Sequence, residues 1–128
     1  MNPAGLTGEG SVPSQTAFST IRDFCIVHLE DNIGGDAIEQ LETRLLDALF
    51  ADQRLKGVIL DFSEVCTSDQ ADLQRLHTMI RTIRLVGGRI GLCGINPGLA
   101  ALMVLADLGF HRQTIGSDID DLLGKLEC

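Results

Sequence analysis

A short run of β-branched and aliphatic residues near the middle of the chain sets the strongest limit on the fold. Residues 57–62 read Gly-Val-Ile-Leu-Asp-Phe, so side chains on both faces of the strand they predict are apolar. Such a strand is typical of a parallel sheet that helices cover on both sides. We therefore expect an α/β protein with this segment as its central strand.

Strand and helix patterns alternate around this run. Two short β-type runs on either side of Arg22-Asp23 predict an opening hairpin over 18–30, and further strands are predicted at 89–93 and 113–115. Apolar residues at three- and four-residue spacing predict four helices, at 36–50, 69–86, 97–108 and 117–126. Asp36 and Ser117 are the expected N-caps of the first and last helices. An opening hairpin followed by alternating strands and helices predicts a four- to five-stranded, largely parallel sheet with about four helices.

Length and composition fit one small domain. The 128 residues are 45% hydrophobic, and residues 1–16 are dominated by Gly, Pro, Ser and Thr. We expect a flexible N-terminal tail over 1–16 and one domain over 17–128. A net charge of −8 and only 4% aromatic residues argue against nucleic acid and anionic membranes as partners. Without an apolar run of roughly 20 residues or a signal-peptide pattern, the expected location is the cytoplasm.

Motifs for catalysis, metal or cofactor binding are missing from the sequence. Neither a Rossmann nor a P-loop glycine pattern occurs, and no nucleophile elbow is found, so an enzyme and a cofactor are not expected. Cys25 and His28 are three residues apart on a predicted strand, which puts them on opposite faces and speaks against a metal site. Residues 94–98, between a strand and a helix, leave open a small-molecule or nucleotide-binding sensor module.

The segment that follows the central strand is the strongest candidate site. Asp69 is expected at the N-terminus of the second helix, where its carboxylate can accept free backbone amides. Behind it Gln70, Gln74, His77, Arg81 and Arg84 follow four- and three-residue spacing and predict one solvated polar stripe. Residues 69–86 carry two carboxylates and three arginines, whereas residues 36–53 carry five carboxylates and one arginine. The second helix is thus the least acidic helical face of an acidic chain.

These residues together resemble the STAS family of anti-sigma-factor-antagonist domains, in particular its stressosome scaffold type. The resemblance rests on Val-Ile-Leu-Asp-Phe-Ser-x-Val at 58–65 with Asp69 four residues later, on the glycine-rich stretch 85–97, and on 100–110. It covers roughly residues 18–126. The family fold it implies agrees with the order of elements predicted above.

The resemblance also implies a function and a site. Family members carry Asp-Ser or Asp-Thr at the start of the second helix, and a serine/threonine switch kinase of the histidine-kinase-like ATPase type phosphorylates that hydroxyl. Here the pair is Asp69-Gln70, and glutamine has no hydroxyl to accept a phosphate. Three hypotheses follow: a form locked in its binding-competent state, phosphorylation moved to Ser68 or Thr67, or a purely structural stressosome-type scaffold.

The expected partner is an anti-sigma factor or such a kinase, and assembly with further STAS domains or with copies of the same chain is a further expectation. The surface predicted to bind the partner comprises nine residues: Asp61, Ser63, Thr67, Ser68, Asp69, Gln70, Gln74, His77 and Arg81.

Overall fold

The computed structural model describes residues 18–127, so the tail predicted over 1–16 lies outside the described residues. The strands are β1 (Phe18–Ile21), β2 (Phe24–His28), β3 (Gly57–Asp61), β4 (Arg89–Cys93) and β5 (Thr114–Gly116). The helices are α1 (Gly35–Ala51), α2 (Gln70–Leu85), α3 (Pro97–Ala106) and α4 (Ile119–Leu126). A single 3₁₀ turn, Phe110–Arg112, joins α3 to β5.

The strands form one five-stranded sheet whose spatial order follows the chain, β1-β2-β3-β4-β5. β1 pairs with β2 in antiparallel fashion, and every later pairing is parallel. Ile59 of β3 lies between Ile26 of β2 and Gly91 of β4, which makes β3 the central strand. The predicted mixed sheet, mostly parallel after a hairpin, is confirmed.

Two apolar layers cover the sheet, as the run at 57–62 indicates. Val58 and Leu60 point into the larger cluster, which α1, α2 and α3 close. Ile59 points the other way, into a smaller cluster that α4 closes with Leu122, Leu123 and Leu126. All five residues of β3 are buried, because each face of the strand has its own apolar layer.

The predicted caps of the first and last helices need correction, by two residues and by one residue respectively. The N-cap of α1 is Gly34 and not Asp36, which lies in the first turn, where its negative charge faces the positive end of the helix dipole. The N-cap of α4 is Asp118 and not Ser117, since the Asp118 side chain accepts from the Asp121 amide. Ser117 instead donates its backbone N–H to Asp121, so the two bonds form a reciprocal cap.

The end of α3 also differs from the prediction. The helix ends at Ala106 and not at residue 108, because Asp107 adopts a left-handed conformation with φ of 51°. Gly109 is left-handed as well, with φ of 82°, and the chain then enters the 3₁₀ turn. The last strand covers Thr114–Gly116, one residue later than predicted.

Candidate functional site

Asp61 ends β3 and organises the turn toward the candidate site. Its carboxylate accepts hydrogen bonds from the backbone N–H and the hydroxyl of Ser63, and lies 2.8 Å from the His28 Nδ1 atom. Burial alone would raise the pKa of this carboxyl, but the bonds from Ser63 and His28 outweigh it and hold the pKa below its ordinary value. With 9% of its surface exposed, Asp61 shapes the turn more than it offers a contact to a partner.

Cys93 and Gly94 close this turn from the neighbouring strand. The Cys93 Sγ atom lies 3.9 Å from Asp61 Oδ1, and burial together with the Asp61 charge raises the pKa of the thiol to about 12. Gly94 has φ of +72°, and a Cβ atom there would lie 2.8 Å from Asp61 Oδ1. The Cys93 thiol therefore stays protonated, and the residues around Asp61 form a packed turn without an activated nucleophile.

The loop between β3 and α2 is tied to its neighbours on both sides. Asn96 donates its side-chain amide to the Val65 carbonyl at 2.9 Å, while its side-chain oxygen caps α3 by accepting from the Leu99 amide at 2.8 Å. On the other side, the Cys66 amide donates to Asp31 Oδ1 at 2.9 Å. These bonds fix the backbone that leads into α2.

Asp69 and Gln70 form the start of α2, as predicted. Asp69 is the N-cap, and its side chain accepts from the Asp72 amide at 2.8 Å. Gln70 is the first helical residue, and its side chain is exposed. Thr67 is exposed and Ser68 half-buried, so the two hydroxyls that could replace a phosphorylated residue lie in the loop just before the cap.

The sequence predicts helix α3 but does not indicate that it lies beside Gln70 at the candidate site. A cavity of about 110 Å³ separates the start of α2 from α3 and is lined by Gln70, Leu102, Leu105 and other residues of the two elements. Leu105 is 81% exposed and its neighbour Val104 is 75% exposed. The exposure of apolar side chains on α3 does have a signal in the sequence, because residues 99–106 of α3 are apolar at every position and leave no polar face for solvent.

The polar stripe on α2 is only partly solvated. Gln74 and Arg81 are exposed, but the His77 ring is half-buried and meets the Phe110 ring edge to face at a centroid distance of 5.6 Å. Burial, helped by the charge of Arg81, lowers the pKa of His77. The expectation that His77 is simply solvated is therefore wrong, because the turn after α3 folds over it.

The alternative site at 94–98 has a structural use for its polar groups. The Asn96 side chain already accepts from the Leu99 amide as the α3 cap and donates to the Val65 carbonyl. Pro97, at the start of the helix, has no N–H to donate. Among residues 18–127, no group of three or more His, Cys, Asp or Glu side chains is placed to hold a metal ion. Within the same range, no helix is both long and apolar enough to cross a bilayer.

Comparison with known proteins places this geometry in a family. The family model described as STAS domain matches residues 15–122, and the chain therefore belongs to the STAS domain family. No curated protein matches the chain.

Solved structures share the fold at low sequence identity. A variant of RsbS from Moorella thermoacetica is 21% identical with a TM-score of 0.77, and the match covers 88% of this chain and 95% of that one. A chain of the stressosome, described as a signal integration and transduction hub, is 22% identical with a TM-score of 0.73 over 87% and 96% of the two chains. The anti-sigma factor antagonist SpoIIAA in its unphosphorylated form is 15% identical with a TM-score of 0.65 over 88% and 98%.

Proposed function

We propose that this protein is a cytoplasmic partner-switching regulator that binds an anti-sigma factor or a switch kinase of the histidine-kinase-like ATPase type. The contact would lie on what we name the Gln70 surface, formed by the loop 63–68, Asp69, Gln70 and the exposed part of α3. The observation that carries the proposal is the position of Gln70. It is the exposed first residue of α2, beside the exposed apolar side chain of Leu105.

An exposed apolar patch beside a helix N-terminus suits a binding surface that charge can control. A patch such as Val104 and Leu105 is costly to leave in water and typically marks a protein contact. A phosphate at the first residue of α2 would add a charge of about −1.5 to −2 next to that patch. Gln70 is neutral and cannot be esterified, so we infer that the surface is held in its binding-competent form.

The experiment begins with affinity purification of the partner from the native cytosol and continues with calorimetric titration of purified variants. Gln70→Asp or Gln70→Glu should weaken binding about tenfold or more, because a charge then lies in the interface. Gln74→Ala, one turn further along α2, should have a smaller effect. Gln40→Asp introduces the same charge on the exposed face of α1 and should leave affinity within about twofold. Equal affinities for Gln70→Asp and the unmodified protein would contradict the assignment.

A phosphorylation assay separates the three hypotheses about Gln70. The unmodified protein and Gln70→Ser are incubated with ATP and the purified kinase, and intact mass and peptide mapping are measured. A locked form predicts one phosphate on Gln70→Ser and none on the unmodified protein. A phosphate mapped to Ser68 or Thr67 of the unmodified protein would favour a moved switch, and no phosphate on either protein would favour a structural scaffold in a stressosome-type assembly.

A further inference from the structure

Half of the basic residues of this acidic protein surround one surface groove. Of the 10 Lys and Arg residues, five line adjoining cavities near the end of α2 that is remote from Gln70. They come from separate parts of the chain: Arg81, Arg84, Arg89, Arg112 and Lys125. On a chain with net charge −8, this concentration needs an explanation.

The groove is continuous and elongated. A cavity of about 350 Å³, lined by Arg84, Arg89 and Arg112 among others, shares Arg84 and Arg112 with a neighbour of about 410 Å³. That neighbour shares His77, Arg81 and Leu108 with a third cavity of about 480 Å³ along α2. This third cavity runs back to Asp72 and Arg75 near the start of α2, so we name only the first two cavities the basic groove.

The groove arginines differ from three arginines outside the groove in their ion pairs with the carboxylates of residues 18–127. Ion pairs join Arg22 to Glu127, Arg54 to Asp52, and Arg75 to Glu39. By contrast, none of the four groove arginines lies within ion-pair distance of a carboxylate among residues 18–127.

The polar contacts of the groove leave most of its positive charge available. Arg84 donates to the neutral side chain of Gln113 at 3.2 Å, and Arg89 donates to the Leu126 carbonyl. Of the five basic residues of the groove, Lys125 is the one with an ion-pair partner among residues 18–127, namely Asp121 at 3.2 Å. Like charges held together without counter-charges repel each other, and an anionic ligand in the groove would relieve that repulsion.

The shape and chemistry of the groove favour a polypeptide. His77 and Arg84, seven residues apart on α2, are separated by roughly 10 Å along the helix axis, and the groove continues beyond Arg84 to Arg89. An extended peptide advances about 3.3 Å per residue and can place a carboxylate against each arginine in turn. A nucleic acid would bring its backbone against a protein of net charge −8, and the groove has no Phe side chain on which bases could stack.

We propose that the basic groove binds an acidic segment of a partner protein. Gln70 and Arg84 are about 21 Å apart along α2, so this contact is separate from the Gln70 surface. One partner could occupy both, but neither site requires the other.

The test measures binding of a fluorescein-labelled peptide of eight glutamates to the full chain by fluorescence anisotropy in about 50 mM salt. The unmodified protein should bind the peptide, and Arg84→Glu with Arg112→Glu should weaken binding at least tenfold. Arg54→Glu carries the same charge change per site outside the groove and should change affinity less than about twofold. Arg84→Lys keeps the positive charge and should stay within about threefold of the unmodified protein. Raising salt to about 300 mM should weaken binding several-fold.

Several results would overturn the proposal. The first is that the peptide does not bind at about 1 mM protein. The second is that Arg54→Glu loses as much affinity for the peptide as the groove variants do. The third is that inorganic phosphate or an oligothymidine binds more tightly than the peptide. Thermal melts establish that the variants are folded, and Arg84→Gln replaces Arg84→Glu if the latter is not. Gln70→Asp should bind the peptide as the unmodified protein does. Failure of the groove proposal therefore leaves the Gln70 surface untouched, and failure of that surface leaves the groove untouched.

Discussion

Replacing Asn96 tests whether α3 holds the loop that precedes α2. The Asn96 side chain makes two bonds of different kinds, the cap on the Leu99 amide and the bond to the Val65 carbonyl. Losing an N-cap side chain costs about 1 kcal/mol, and losing a half-buried hydrogen bond costs about another 1 kcal/mol. We therefore expect Asn96→Ala to lower the free energy of unfolding by about 2 kcal/mol.

Asn96→Ser divides this cost between the two bonds. A serine hydroxyl can still cap α3 but is too short to reach the Val65 carbonyl, so this variant should lose about 1 kcal/mol. The measurement is urea unfolding, in which a loss of 2 kcal/mol lowers the midpoint by about 1 M when the slope is near 2 kcal/mol/M. Amide hydrogen exchange of residues 63–68 should accelerate in both variants, because the loop loses its anchor.

Two outcomes would refute this reasoning. If Asn96→Ala costs less than about 0.5 kcal/mol, Asn96 holds neither the helix nor the loop. If Asn96→Ser accelerates exchange no more than an exposed control such as Gln40→Ser, then the bond to Val65 does not position the loop.

Three further predictions follow from local geometry. Gly91→Ala should lower the free energy of unfolding by about 1–3 kcal/mol, as measured by thermal melts, because a Cβ atom there would lie within 3.0 Å of two leucines of α4. As a control, a Cβ atom at Gly124 would have nothing within 4 Å, so Gly124→Ala should be neutral or slightly stabilising in the same melts. In the native protein iodoacetamide should modify Cys66, which is exposed, much faster than Cys93, whose thiol pKa is raised to about 12, as peptide mass mapping will show. The lowered pKa of Asp61 means that its carboxylate stabilises the fold above about pH 4 and that this contribution is lost as pH falls through the folded-state pKa. The cost of Asp61→Asn in urea unfolding should therefore be larger at pH 6 than at pH 3.

The sequence predicts the fold well where one physical requirement dominates. The apolar run at 57–62 can be buried only if both faces of the strand are covered, and β3 is the central strand as expected. The sequence predicts Asp69 as a cap because it is the polar residue directly before an apolar periodicity, and it does cap α2. Near residue 117 two neighbouring polar residues can each serve as a cap, and local pattern alone does not distinguish Ser117 from Asp118.

The parts of the site that depend on tertiary contacts could not be predicted in the same way. Leu105 faces the start of α2 only because α3 packs beside it, and the two segments are more than 30 residues apart in the chain. The basic groove collects Arg84 and Arg112 from either side of α3 and β4, and no spacing rule connects them. His77 is half-buried for a similar reason, since the Phe110 ring contacts it only because the chain turns at Gly109.

The order of the strands bears on how the chain can assemble. Each strand pairs only with its neighbours in sequence, and the residues paired in the three parallel ladders are between 23 and 33 positions apart. Every ladder therefore closes a loop of similar, moderate length, for which the entropic cost grows only slowly with size. A chain emerging from the ribosome can add β3, β4 and β5 one at a time to an existing edge, without waiting for a distant segment to arrive.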